Sequence, residues 1–513
     1  MSITDPAIPS SLAQPSKEIE FLFNRINYER RSVLAYNEQR MRLENMRRLL
    51  EKLGDPHQRL SIVHIAGTKG KGSVATMVSS ILAESDLRVG TYTSPHLHAL
   101  NERFLINNSP IDSTELDRLI RVTRPHLEDL DQDAIERGDP FGRPTFFEIT
   151  TAIAFLHFAQ QQVDYAVIEV GLGGRLDSTN ICTPRLSIIT SISYDHTRQL
   201  GETLPEIAGE KAGIIKSGIP LICGVEQPEI SQLIARRAAD HKSACWQLGV
   251  DFQLRPSVNR SAPLLPTGQL PTHNLPQEDH TQAQTEPGEL FSVQILNRDI
   301  SDVHTELQGL RTAMPGAHQQ RNAAIAIASC KFLQKTDPRI SQQAIGTGLA
   351  GARLAGRIEQ VCAEPRIVVD VAHNVASAIA LIETLQPAVS SSTLIYATSR
   401  DKDFHGVLQV LLPHFSRVHF TRFLENPRAR APAELLAEAT EITKRQPDLH
   451  WEFHLHLNPQ DALQAALDQP SSNEQPTSHA PLICITGSAF IVAELRNLCS
   501  SNVIQKRKLD SKI

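Results

Sequence analysis

Residues 62–73 read Ile62-Val-His-Ile-Ala-Gly67-Thr-Lys-Gly70-Lys71-Gly72-Ser73, an apolar run that breaks into three glycines around a lysine. The β-branched residues predict a buried strand, and the apolar spacing from Val74 to Glu84 predicts a helix. Strand, glycine loop and helix together make the setting of a phosphate-binding loop. Glycines let backbone N–H groups turn toward an anion, and the helix N-terminus adds its positive end. Lys71 supplies a point charge, and Ser73 can hold Mg2+. The spacing Gly67-x-x-Gly-Lys-Gly-Ser is shorter than the common G-x-x-x-x-G-K-[ST] pattern and carries an extra glycine. A strand-to-helix turn that binds nothing is therefore the competing reading.

With 513 residues, 41% of them apolar, the chain exceeds one ordinary core, and its length predicts roughly two to four domains. A net charge of −6 and a pI near 6.4 leave no broad basic field, which argues against a nucleic-acid or membrane-surface partner. The short Lys506–Lys508 run reads as a solvated end. Seven dispersed cysteines, never in C-x-x-C spacing, argue against a disulfide framework or a zinc site and for a reducing cytoplasm. Met1–Ser16 lacks a signal pattern, and no apolar run approaches the ~20 residues a bilayer demands. A soluble, cytoplasmic protein is expected.

Residues 1–17 are expected to be flexible. Helical spacing from Glu18 to Leu53 ends at Gly54-Asp-Pro56, ahead of the loop-bearing strand. A second strand, from Leu87, stops at Ser94-Pro95, which places a hydroxyl at the carboxyl edge of a sheet, where open α/β folds bind ligands. A helical segment opens with Phe146-Phe147-Glu148. The strand Val163–Val170 runs into Glu169-Val-Gly-Leu-Gly-Gly-Arg-Leu-Asp-Ser-Thr-Asn180, an acid aimed from a strand end into glycines. Another strand, Leu186–Ser193, leads to Asp195-His196-Thr197, followed by a helix carrying Lys211. The alternation predicts a parallel sheet with crossover helices. Ser94, Glu169 and His196 at successive strand ends are candidate ligands for Mg2+ or neighbours of phosphates, although a single histidine there would ordinarily be structural. Residues 252–289 hold six prolines from Pro256 to Pro287 and few large apolar residues, which predicts a disordered surface insertion. Asn322 lies near a helix start, where a plain cap is the alternative to a ligand contact. From about residue 353 a second, smaller α/β pattern begins, with a strand ending in Asp370-Val-Ala-His373-Asn374.

Taken together, the chain resembles the folylpolyglutamate synthase/dihydrofolate synthase family, within the Mur-type ATP-dependent ligases. The resemblance spans about Asn27 to Leu498 apart from the Pro-rich segment. Five stretches carry it in family order: Gly67–Ser73, Thr93–His96, Glu169–Asn180, Asp195–Thr197 with Lys211–Ile215, and Asp370–Asn374. It implies an α/β fold, with a P-loop Mur-ligase-like ATPase domain of parallel central sheet over residues 18–352. A smaller Rossmann-like α/β domain would occupy residues 353–513.

The resemblance also implies roles. Gly70, Lys71, Gly72 and Ser73 would hold the ATP phosphates, and Ser94 and Glu169 would ligate one Mg2+. His196 would serve a second Mg2+, joined by Lys211 once that lysine is carboxylated, with a plain surface lysine as the alternative. Lys71, Glu169, His196 and Lys211 would form the catalytic set. Asn322, Arg357 and Asp370 would contact ATP, the last two from the second domain. His373 would lie near the incoming glutamate, and Phe146, Phe147 and Glu148 would build part of the pterin pocket. The implied reaction joins L-glutamate to a folate, and by extension to dihydropteroate, in a monomer that binds neither nucleic acid nor membrane. Folate extension alone, another Mur-type amino-acid ligase, and a P-loop nucleotide switch without ligase chemistry are the alternatives.

Overall fold

Strand β1 (Ile62–Ala66) lies inside an eight-stranded sheet, and all five of its residues are buried. The structure is a computed structural model that describes residues 16–27, 43–256, 290–296, 305–444, 450–468 and 481–499. The other strands of this sheet are β2 (Val89–Tyr92), β3 (Phe104–Ile106), β4 (Ser109–Pro110), β5 (Tyr165–Glu169), β6 (Leu186–Ile189), β7 (Leu221–Cys223) and β8 (Cys245–Gln247). Their spatial order is β4-β3-β2-β5-β1-β6-β7-β8. From β2 to β8 every pairing is parallel, and β3 and β4 add an antiparallel edge. The helices between strands supply the crossovers that parallel pairing demands.

Because β1 is covered on both faces, its residues are apolar nearly without alternation. Val63 and Ile65 join a core with the helices Lys71–Ala83, Ala317–Gln334 and Gln342–Gly351. Ile62 joins a second core with the helices Leu43–Lys52, Ser113–Glu136 and Phe146–Gln160. Each fully buried Val or Ile stabilises by roughly 1.5–3 kcal/mol relative to exposure. The helix after the loop is itself buried from Ser73 to Leu82, so it lies inside the domain and holds its N-terminus in place.

Helix 342–351 crosses that helix at Gly348, where an added Cβ would lie 2.5 Å from Ile81 Cα and 2.7 Å from its nitrogen. Ala is the better helix former, yet here it would push against backbone. We therefore expect Gly348→Ala to destabilise by about 1–3 kcal/mol, against the gain of about 1 kcal/mol seen at an open helical site. Urea unfolding of the two proteins side by side checks this, and a stabilised variant would contradict the close crossing.

A second sheet is antiparallel, in the order β11 (Thr305–Leu310), β10 (Phe291–Ile295), β9 (Phe252–Pro256). It corrects the expected start of the insertion. Phe252–Pro256 is ordered because it pairs with β10 and buries Phe252 against the first core. The rest of that insertion, residues 257–289, lies outside the described residues, as do residues 1–15 of the expected flexible start. Ser16 caps a helix, Lys17–Phe23, by accepting the Ile19 N–H, so residues 16 and 17 belong to a helix and not to the expected flexible start.

The third sheet has the order β12 (Glu359–Cys362), β13 (Arg366–Val369), β17 (Leu482–Thr486), β14 (Ser392–Tyr396), β15 (Arg417–Phe420), β16 (Glu452–Leu455). All pairings except β12 with β13 are parallel. Its two faces carry separate cores, one around Leu381, Leu408 and Phe420 and one around Ile395, Ile485 and Val492. The result is an α/β ATPase-like fold joined to a smaller α/β domain. Among the described residues no helix is long and apolar enough to cross a membrane.

Candidate active site

The glycine loop is stitched to the chain that leaves the neighbouring strand β6. Thr68 N–H donates to Ser191 O at 2.8 Å, and Lys69 N–H donates to Ser191 Oγ at 3.0 Å. Thr190 Oγ1 donates to Lys69 O at 2.6 Å, and the Thr68 hydroxyl bridges to Ser193. Gly67 and Gly70 both hold positive φ, 148° and 84°. A Cβ at Gly67 would collide with Thr190 Oγ1, and one at Gly70 with Asn322 Oδ1. Asn322 is thus packed on the loop, with its amide donating to Gln319 Oε1 at 3.0 Å. Its helix is capped by Gly316 instead, so the capping alternative fails. We expect Gly70→Ala to raise KM for ATP by at least about tenfold, since it strains the loop and displaces Asn322. Initial rates at varied ATP test this, and an unchanged KM would separate the loop from nucleotide binding.

Lys71 opens the helix, and its charge is felt by Glu169, His196 and Lys211. Glu169, 5% exposed at the end of β5, accepts the Ser94 N–H at 3.2 Å. Its Oε2 lies 3.5 Å from where a Cβ on Gly72 would sit, so the carboxylate rests against the loop. Burial pushes its pKa up, opposed by Lys71, the Ser94 N–H, Arg357 and Arg103. An incompletely compensated buried carboxylate beside a phosphate loop suits a divalent cation. Ser94, in a cis peptide with Pro95, lies two residues past β2, at the same strand-end region.

Lys211, 4% exposed, donates Nζ–H to Gly67 O at 2.9 Å. Burial, and next the Lys71 charge, lower its pKa to about 7. His196 has φ 50° at the start of a short helical turn, its Nε2 3.8 Å from Asp195 Oδ1. Asp195 in turn pairs with Lys69 of the loop at 3.0 Å. Burial would raise the Asp195 pKa, but Lys69 and His196 hold it well below the usual carboxylate range. Among the described residues no group of three or more His, Cys, Asp or Glu is arranged to hold a metal ion. Mg2+ commonly takes one or two carboxylates plus phosphate and water oxygens, so a lone Glu169 with Ser94 matches its usual donor set.

The smaller domain closes the other side. Asp370, just past β13, accepts N–H groups of Ile358 and Ala372, each at 2.8 Å. Burial raises its pKa to about 6 while Arg357 opposes. Arg357, exposed, lines a cavity of about 560 Å3 with Met314, Arg353, Leu354, Glu359 and Arg496. Leu354 also approaches Gly72, so this cavity adjoins the loop. His373 Nδ1 lies 2.9 Å from Val371 O, and burial followed by Lys402 and Lys69 lowers its pKa to about 3. Lys402, in the turn that follows β14, is also felt by Asp195 and His196 across the cleft.

The structure therefore brings together Gly70–Ser73, Ser94, Glu169, His196, Lys211, Asn322, Arg357, Asp370 and His373. The Phe146–Glu148 segment divides. Phe146 is 1% exposed in the core, 5.9 Å from Phe23. The Glu148 carboxylate is taken up by a capping box, accepting Thr145 N–H at 2.7 Å and its hydroxyl at 2.8 Å, and burial raises its pKa to about 7. Only Phe147 is part-exposed, and it packs on Gly171, where a Cβ would lie 2.5 Å from the ring. Sequence reasoning did not single out Thr190, Ser191 or Lys402, and it quoted Lys69 and Asp195 within their stretches without giving either a role. Ser and Thr just past a strand end were the available signal.

A phosphate loop, a buried acid at a neighbouring strand end and an arginine and aspartate brought by a second α/β domain define a Mur-type, ATP-dependent acid–amino-acid ligase. Residues 356–488 match the family described as "Mur ligase, glutamate ligase domain". The chain is 35% identical over 458 residues to the dihydrofolate synthase/folylpolyglutamate synthase of Bacillus subtilis, covering 88% of this chain and 94% of that protein. It is 34% identical over 450 residues to the folylpolyglutamate synthase of Lacticaseibacillus casei, covering 87% and 92%. The folylpolyglutamate synthase of Mycobacterium tuberculosis, solved with ADP and AMPPCP, superposes with a TM-score of 0.75 at 29% identity, over 90% of this chain and 96% of that one. That of Thermotoga maritima gives 0.72 at 29%, over 94% and 96%. The chain belongs to the folylpolyglutamate synthase/dihydrofolate synthase family of the Mur ligase superfamily.

Proposed function

We propose that this protein joins L-glutamate to folates, and performs the same chemistry on dihydropteroate. The observation that carries the reading is the convergence of Lys71, Glu169 and Arg357 on one cleft. A carboxylate does not acylate an amine at neutral pH, because oxide would have to leave. In the proposed sequence the folate carboxylate attacks the γ-phosphoryl group of ATP, giving an acyl phosphate and ADP. The glutamate amine then adds to the acyl carbon, and phosphate leaves as the amide forms. No nucleophilic side chain is required, and the protein's work is positioning and charge neutralisation by Lys71 and Arg357.

Mg2+ bound here would neutralise phosphate charge, with Ser94 and Glu169 as its holders. His196 would hold a second Mg2+. Lys211 would join it as a carbamate, formed by attack of the neutral amine on CO2 with loss of a proton, and its depressed pKa supplies that amine near neutral pH. His373 and Lys402 would receive the incoming glutamate, and Phe147 would face the pterin. We further propose a monomer in the cytoplasm, with its two domains meeting near residue 352.

The test is purified protein with ATP, Mg2+ and labelled glutamate, against tetrahydrofolate and dihydropteroate separately. Glutamate-dependent ADP release on both supports the full reading, and release on one restricts it to that activity. No release on either substrate would defeat it and leave another Mur-type ligase or a nucleotide switch.

A further inference from the structure

His64 is the polar residue of an otherwise apolar β1, and it is 0% exposed. Side chains alternate along a strand, so His64 shares a face with Ile62, toward the core that holds the helix Phe146–Gln160. Its Nε2 lies 2.8 Å from Thr179 Oγ1, and that hydroxyl donates to Asp177 Oδ1 at 2.5 Å. A hydroxyl has one proton, so toward the ring Thr179 accepts, and the neutral imidazole carries its proton on Nε2. Nδ1 is then a bare acceptor, buried and without a partner among the described residues. An unpaired buried acceptor costs stability that a leucine in the same place would not, so packing alone gives no reason for a histidine here.

These contacts lead to Asp177, which is 5% exposed. Its carboxylate also accepts the Leu172 N–H at 2.9 Å and the Thr179 N–H at 3.0 Å, which ties the start of the glycine segment after β5 to its end. Gly171, next to Leu172, supports the part-exposed Phe147 ring, since a Cβ there would lie 2.5 Å from the ring's Cζ. The other side of the same segment rests on the helix Leu204–Lys211. The Arg175 N–H donates to Glu210 O at 2.8 Å, and a Cβ on Gly174 would lie 2.8 Å from Lys211 O. The segment thus runs between Phe147 and the helix that bears Lys211, with Asp177 holding it closed. Through Thr179, His64 joins the centre of the strand that leads into the phosphate loop to the backbone beside Phe147.

We propose that His64 and Thr179 are positioning residues for the folate-class substrate. The Nε2–H of His64 fixes the Thr179 hydroxyl on Asp177, and Asp177 holds residues 171–177 in the shape that receives the substrate's fused ring beside Phe147. Neither His64 nor Thr179 touches the substrate. The inference rests on the proposed folate ligase reading. It adds determinants of folate affinity that lie inside the sheet, separate from the nucleotide loop.

The test uses the full chain carrying His64→Leu, His64→Gln, Thr179→Val and the double change His64→Leu with Thr179→Val. Glutamate-dependent ADP release is measured at varied tetrahydrofolate and varied ATP. His64→Leu is expected to raise KM for tetrahydrofolate by about tenfold and to leave KM for ATP within about twofold. His64→Gln, whose amide brings an N–H to Thr179, is expected to recover most of the loss. Thr179→Val should reproduce the folate-specific rise, and the double variant should be no worse than the poorer single variant, because both changes break one chain of contacts. An unchanged KM for tetrahydrofolate in His64→Leu, an equal rise for both substrates, or multiplying effects in the double variant would overturn the proposal. Melting curves show whether Thr179→Val stays folded; if it does not, the two His64 variants decide alone. Calorimetric titration with tetrahydrofolate reads binding without turnover. If the wild type binds but does not ligate, the functional reading fails while weaker binding by His64→Leu still supports the positioning role. If the wild type ligates and the variants show no folate-specific change, the positioning role alone fails.

Discussion

Glu169→Gln is expected to lower kcat for glutamate-dependent ADP release by at least about 10³-fold while leaving the melting temperature unchanged or higher. Both halves come from the same burial. The carboxylate is 5% exposed, and desolvation raises its pKa despite the nearby Lys71, Ser94 N–H and Arg357. Its charge therefore costs the folded state more than it returns. Glutamine has nearly the same shape and can still accept the Ser94 N–H, now without a buried charge. What it cannot do is neutralise a cation at the phosphate loop, where Glu169 Oε2 lies 3.5 Å from the place a Cβ on Gly72 would take. Residues that trade stability for function show this opposition. Steady-state ADP release and a thermal melt on one preparation check it. A variant that turns over at near the wild-type rate would remove Glu169 from the chemistry.

The second large effect is acid lability. Five histidines are held neutral by burial: His64, His373 and His419 have pKa values lowered to about 3, and His157 and His318 to about 4. Neighbouring groups add to the effect, Lys216 beside His64 and the stacked imidazoles of His454 and His456 beside His419. In the unfolded chain each would protonate near 6.5. Between that value and the folded ones, the unfolded state binds more protons, so stability rises with pH across the window. The contribution is complete above about 6.5 and is lost as pH falls toward 3. For His64 the full span is on the order of 5 kcal/mol.

Five carboxyl groups raised by burial, Glu148, Glu169, Asp177, Asp370 and Glu494, oppose the trend. Glu148 is raised to about 7 and Asp370 to about 6, so the cost of their charge disappears in acid. Burial also lowers His57, His98, His196, His414 and His456, so ten imidazoles stand against five carboxyl groups, and the net sign is destabilising. An apparent melting temperature roughly 15 °C lower at pH 4.5 than at pH 7.5 is expected. His64→Asn, which keeps a polar partner for Thr179 and cannot titrate, should flatten the dependence. A melting temperature that stays level across this range would contradict the neutral buried imidazoles.

Where the sequence was read correctly, the signal was local. The β-branched run at 62–66, the glycines at 67, 70 and 72, and the apolar strand ending in Glu169 each expose their role within about ten residues. The parallel sheet followed from their alternation with helices. One expectation gained a local alternative, and one misreading was local in origin. Thr145-x-x-Glu148 is a capping-box pattern, and it accounts for the Glu148 carboxylate without a substrate. Phe252–Pro256 borders a Pro-rich, polar stretch and was counted with it. Its strand depends on pairing with Phe291–Ile295, more than thirty residues on, and no window around residue 252 contains that partner.

The loop that decides the fold shows the division most clearly. Residues 62–73 by themselves determined a strand, a phosphate-binding turn and a helix, because backbone freedom at glycine and burial of β-branched residues act over a few positions. Only the tertiary structure decided what surrounds that turn: Asn322 against Gly70, Glu169 against Gly72, Lys211 on the Gly67 carbonyl, Lys69 paired with Asp195, and Arg357, Asp370 and Lys402 across the cleft. Those neighbours are separated from the loop by roughly 100 to 330 positions of chain. Their distances, and the pKa shifts that come from shared burial, arise only when sheet order places β5 and β6 on either side of β1 and the domain of the third sheet brings its residues to the cleft.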